Sequence, residues 1–128
     1  MIKTKKTVLL YNFSSSRLKL VRKALSAIGC SVRTVMKKEY AQPIGYLAGV
    51  ENYSFTNKQL SEKGFDEEML VMCGFGSEMI DVLISALKKS GVGSVPLKAV
   101  VTEHNINWDS VKLYNEIKAE QQIMSNIR

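Results

Sequence analysis

Cysteine and histidine are scarce in this sequence: there are two cysteines, Cys30 and Cys73, and one histidine, His104. The two thiols lie far apart and match no metal or redox spacing, and one histidine without paired cysteines makes no four-ligand zinc site. Strand-like residues flank both cysteines, which reads as two buried thiols acting as small hydrophobes. Long apolar runs are missing too. Nothing approaches the roughly 20 residues that a membrane helix needs, and Val8 to Tyr11, behind a basic start, is too short for a signal-peptide core. The expectation is a soluble cytoplasmic protein.

Acidic residues are absent from the first 38 positions, which carry ten cations: Lys3, Lys5, Lys6, Arg17, Lys19, Arg22, Lys23, Arg33, Lys37 and Lys38. The rest of the chain holds eight cations and all twelve acids, so a net charge of +6 is concentrated at one end. Such asymmetry attracts nucleic acid, phosphorylated ligands or an acidic partner, or is simply a solvated helix face with a basic terminus. No aromatic residue interleaves the cluster, which counts against a nucleic-acid surface.

What is present is ordinary globular composition, 45% hydrophobic and 23% charged, in 128 residues, the size of one domain. Val8 to Phe13 reads as a buried strand, Ser14 to Ser16 as helix-capping residues, and Leu18, Val21, Ala24, Leu25 and Ile28 as the apolar stripe of a helix ended by Gly29. Val32 to Met36 is a second, more mixed strand. Met69 to Cys73, the Gly74-Phe75-Gly76-Ser77 turn, and Ile80, Leu83, Ala86 and Leu87 before Gly91 repeat the plan. A shift of 62 positions places Phe13 on Phe75, Leu18 on Ile80, Leu25 on Leu87 and Gly29 on Gly91. Pro96 to Thr102 supplies a fourth strand, and a last helix follows, with Asn107 as its cap.

These signals predict a single α/β domain over residues 1–128. It is a three-layer sandwich with a four-stranded, mostly parallel sheet of order 2-1-3-4, built from two β-α-β halves at about 7–36 and 68–126. The alternative is a ferredoxin-like β-α-β-β-α-β arrangement with an appended C-terminal helix. The choice turns on the connection at about 37–67. There, Ala41 to Gly49 suits a short helix, 51–66 a surface loop, and Tyr40, Tyr46, Tyr53 and Phe55 either a satellite core or an exposed patch.

In the parallel arrangement the turns after the strands share one edge, where helix N-termini present free amides. Asn12, Ser15, Gly76, Ser77, Asn105 and Trp108 are then candidate contacts for a small anion or a protein. Serine and glycine before a helix are also plain caps, and neither turn has the spacing of a Walker loop or a dinucleotide fingerprint, so no cofactor is implied. His104 stands beside Glu103 and offers an acid–base group for an enzyme, but adjacent residues on an extended segment point to opposite sides. Arg17, Lys19, Arg22 and Lys23 are the candidates for nucleic-acid contact. Trp108 either presents a ring to a ligand or pins the start of the last helix.

The run Met69 to Phe75, the stretch Pro96 to Thr102, and Asn105 and Trp108 resemble a bacterial family of small proteins catalogued as a domain of unknown function. Leu10 to Phe13 and Pro43 to Gly49 are similar to the first half of its longer members. The resemblance implies no activity, cofactor or catalytic residue, only that Trp108 and its neighbours matter. The first half also resembles a receiver domain in pattern, but Asn12-Phe13 and Cys73-Gly74 stand where that family places carboxylates, so no magnesium site or phosphotransfer follows. The reading is a non-catalytic small-ligand or protein-binding module. A nucleic-acid binder and a small enzyme using His104 are the alternatives.

Overall fold

The computed structural model describes residues 5–60 and 63–127, so Lys3 of the basic set lies outside the described residues. In chain order the elements are β1 (Thr7–Tyr11), α1 (Ser15–Ala27), β2 (Ser31–Thr34), a 3₁₀ turn (Lys37–Glu39), α2 (Ile44–Leu47), β3 (Met69–Cys73), α3 (Ser77–Lys89), β4 (Lys98–Val100) and α4 (Ser110–Ile127). The strands form one open sheet of order β2-β1-β3-β4. The expected α/β class and strand order are both observed.

Continuous apolar runs form β1 and β3 because both faces of these strands are covered. Val8, Leu10, Leu70 and Met72 face a layer made by α1 and α3, where Val21, Leu25, Leu83 and Leu87 are buried. Leu9, Tyr11, Met69, Val71 and Cys73 face the opposite layer, against Tyr40, Ile44, Leu47, Val111 and Leu113. Each fully buried aliphatic side chain contributes about 1.5–3 kcal/mol, so these two clusters hold the fold.

The repeat visible in the sequence is a repeat in space. A shift of 62 residues carries Thr7–Tyr11 onto Met69–Cys73 and Ser15–Ala27 onto Ser77–Lys89, end for end. Backbone conformation follows the same shift. Asn12 (φ 64°) corresponds to Gly74 (φ 82°), and Gly29 (φ 81°) to Gly91 (φ 89°), so each strand and each helix ends on a left-handed residue. The halves diverge after Gly91. Thr7 pairs with Ser31, 24 residues on, whereas Leu70 pairs with Lys98, 28 residues on. The four extra residues belong to a loop that buries Val92, Val95 and Leu97.

The sheet is mostly parallel, as expected, except at its central pair. β1 is parallel to β2 and β3 to β4, but β1 and β3 are antiparallel, with Thr7 opposite Cys73 and Tyr11 opposite Met69. The reason lies in the connection. A third strand parallel to the first requires the chain to recross the sheet, about 16 Å for five strand residues. The connection instead stays at one end: the Asn12 side-chain amide, just past β1, donates to the carbonyls of Phe65 (2.9 Å) and Glu67 (3.0 Å), just before β3. The ferredoxin-like alternative is excluded by strand order: it pairs β2 with β3 and β4 with β1, whereas here β1 pairs with β2 and β3 with β4.

Pro43 precedes α2, and the amides of Ile44 and Gly45 donate to the carbonyls of Trp108 and Ile106, both at 2.9 Å. Within the connection, the Gln42 amide both donates to the Thr56 carbonyl (2.9 Å) and accepts from the Thr56 N–H (2.8 Å), pinning the 53–58 stretch. Tyr40 and Phe65 are buried and Tyr46 and Tyr53 pack on the core, while Phe55 is 62% exposed, so the aromatic cluster is mostly core. The last helix begins later than Asn107 suggested. Its cap is Asp109, whose Oδ1 accepts from the Lys112 amide at 2.8 Å.

Candidate functional site

Antiparallel central strands separate the residues expected to share an edge. Asn12 and Ser15 follow β1 and lie at one end of the sheet, whereas Gly76 and Ser77 follow β3 and lie at the other. The common hollow expected from four strand-end turns is not formed. Each residue has a local role instead. Asn12 adopts φ 64°, donates to two carbonyls and accepts from the Tyr40 hydroxyl at 3.2 Å, so its side chain ties the connection to β1. Ser14, not Ser15, caps α1, accepting from the Arg17 amide at 3.4 Å. Ser15, Gly76 and Ser77 are exposed at the starts of their helices.

Asn105 and Trp108 do come together, in a small hollow of about 280 Å³ beside β4, with His104, Lys98, Glu116 and Glu120 around it. Asn105 is occupied: its Oδ1 accepts from the Thr102 amide (2.9 Å) and its Nδ2 donates to the Val100 carbonyl (3.1 Å). The Trp108 ring lies under the Lys112 ammonium at 4.9 Å and meets the edge of His104 at 5.2 Å. Burial pushes the Lys98 ammonium below its ordinary value, and its Nζ donates to the Val95 carbonyl. A separate cleft of about 400 Å³ runs between Gly74–Gly76 and Val101–Glu103.

His104 is exposed, its amide donates to Thr102 Oγ1 at 3.2 Å, and its ring meets Trp108. Among the described residues, no group of three His, Cys, Asp or Glu is placed to hold a metal. Burial raises the thiols of Cys30 and Cys73, the latter to about 11, which keeps both protonated and weakly nucleophilic.

The basic helix divides. Arg17 is consumed by structure: Nε and Nη2 grip both Glu68 oxygens at 2.6 and 3.0 Å, and Nη1 donates to the Val92 carbonyl at 3.1 Å. That pair also offsets a cation in the first turn, where the helix dipole disfavours it. Lys19, Arg22 and Lys23 are exposed and, among the described residues, belong to none of the ion pairs.

Sequence reasoning missed a groove of about 860 Å³ between α1 and α3 on the outer side of the sheet. Its floor includes Ala24 and Ala86, and its walls carry Leu20 (40% exposed) and Val82 (44% exposed). Both pairs are equivalents under the 62-residue shift, so the groove lies astride the repeat. The available signal was Leu20 and Val82 themselves, apolar residues at matching positions outside the inner stripe of each helix.

No helix among the described residues is long and apolar enough to cross a membrane. No curated protein and no solved structure matches the chain. Residues 68–124, from the start of β3 through most of α4, match the family model of a domain of unknown function, DUF3783.

Proposed function

We propose that this chain is a non-catalytic, cytoplasmic protein-binding module that seats an amphipathic helix of a partner in the groove between α1 and α3. The observation that carries the reading is the apolar lining of that groove. Leu20 and Val82 stand exposed over a floor of alanines, with Lys23 and Lys89 at the rim. Two antiparallel helices with a shallow apolar seam offer a third helix the ridge-and-groove contact by which helices pack. Alanine at the centre permits close approach, and exposed aliphatics gain free energy only when an apolar partner covers them. The cytoplasmic setting is supported by two free, buried thiols.

This reading replaces a small-anion site at the strand ends, whose groups lie at opposite ends of the sheet. It is favoured over nucleic acid because the cations at the groove, Lys23 and Lys89, border an apolar seam that phosphate cannot cover, and Arg17 is already engaged.

The test is a titration of the labelled protein with a designed amphipathic helical peptide carrying a leucine–alanine stripe, followed by amide chemical shifts. Shifts concentrated on Leu20, Ala24, Val82 and Ala86, and lost in Leu20→Glu and Val82→Glu variants that melt normally, are expected. Shifts elsewhere, or unchanged affinity in both variants, overturn the reading.

A further inference from the structure

We infer that the groove is polarised along its length and orients its occupant, taking a partner helix with a cluster of carboxylates at the end that lies against Lys88 and Lys89; this rests on the docking reading above. Each helix runs back against its own strand, and β1 and β3 are antiparallel, so α1 and α3 are antiparallel as well. The Arg17 guanidinium reaches the Val92 carbonyl at 3.1 Å, which sets the beginning of α1 beside the end of α3. Lys19, in the first half of α1, therefore shares one end of the seam with Lys88 and Lys89, in the last turn of α3, while Arg22 and Lys23 stand near its middle beside Ala24. Glu78 and Asp81, in the first turns of α3, fall at the other end, beside the close of α1.

All seven of these side chains are exposed, five cations against two acids, a net +3. Among the described residues none of the five cations is in an ion pair. The helix dipole accounts for Lys88 and Lys89, at a helix C-terminus, but not for Lys19, which lies nearer the N-terminus of α1. The repeat sharpens the contrast, because Lys19 and Asp81 are equivalents under the 62-residue shift and carry opposite charge. The apolar seam is nearly two-fold symmetric and cannot by itself choose the direction of a bound helix. The charges break that symmetry, and charge arrangement at an interface rim fixes orientation and encounter rate.

Three designed helical peptides with one leucine–alanine stripe test this, each ending in a cluster of glutamate, glutamine or lysine. The intact protein is expected to bind the glutamate peptide about tenfold more tightly than the lysine peptide at low salt, with glutamine between. The double variant Lys88→Glu/Lys89→Glu is expected to reverse that order. A spin label at the glutamate end is expected to broaden the amides of Lys88 and Lys89 and to leave Glu78 and Asp81 sharp. Equal affinities for all three peptides, or broadening at Glu78, overturn the polarity while leaving the docking reading intact. Failure of all three to shift Leu20 and Val82 overturns the docking reading itself. A DNA duplex that displaces the glutamate peptide and survives Leu20→Glu overturns both.

Discussion

Leu9 and Val71 face each other across the central strand pair and are also each other's counterparts under the 62-residue repeat. A rotation that exchanges the two halves must therefore pass between them, perpendicular to the sheet, because α1 and α3 lie on the same face. Each half is a β-α-β unit, and the molecule is two such units joined back to back along their first strands. The symmetry stops at the opposite face, which the connection, α2 and α4 cover together.

The hydroxyls of Tyr11 and Ser110 share a hydrogen bond of 2.7 Å, and both residues are fully buried. Removing one partner leaves the other unsatisfied in the core. Ser110→Ala is expected to cost about 1–3 kcal/mol, and Ser110→Ala combined with Tyr11→Phe to cost less than the sum of the two single changes. Denaturant titrations of the double-mutant cycle check this; strict additivity counts against the pair.

Gly45 has no room for a side chain. A Cβ there would meet Tyr53 Cγ at 2.7 Å and Ile106 Cγ1 at 2.9 Å. Gly45→Ala is expected to lose about 1–3 kcal/mol through overpacking, read as a lower denaturation midpoint. A midpoint equal to that of the parent rejects the crowding.

Trp108 is half-buried against the core, and its carbonyl receives the Ile44 amide. Trp108→Ala is expected to lower the melting temperature by an amount equivalent to about 2–3 kcal/mol, since the ring's packing is lost and the backbone bond is weakened. An unchanged melting curve assigns the ring to a partner instead.

Tyr114 is stacked on Phe65 with ring centroids 4.2 Å apart, and its hydroxyl donates to Glu67. That bond, reinforced by burial, raises the phenol to about 12. A phenol raised in the folded state contributes stability that is complete below the unfolded value near 10 and is lost as pH rises from there through about 12. Stability against urea is expected to fall over that interval, and less steeply in Tyr114→Phe. The same slope in both proteins removes Tyr114 from the account.

Much of the architecture was legible because burial writes itself into composition. Met69–Cys73 is apolar at every position because both faces are covered, and Ser14 and Gly29 mark the ends of α1 by capping chemistry. The direction of β3 was not legible. It depends on which way the chain travels through a connection whose one helix has four residues, and neither burial nor periodicity in β1 or β3 changes when a strand is reversed. The groove was hidden for a related reason. Leu20 and Val82 are single apolar residues on otherwise polar faces, and only the packing of α1 beside α3 makes them neighbours.

The seam between the repeats is also the middle of the sheet, so the two most deeply buried strands come from opposite halves of the chain. A nick at the exposed residues 57–59 would sever the covalent link yet leave the β1–β3 ladder whole. The two pieces would stay together as one noncovalent particle, and two chains exchanging their halves would rebuild the same ladder between molecules.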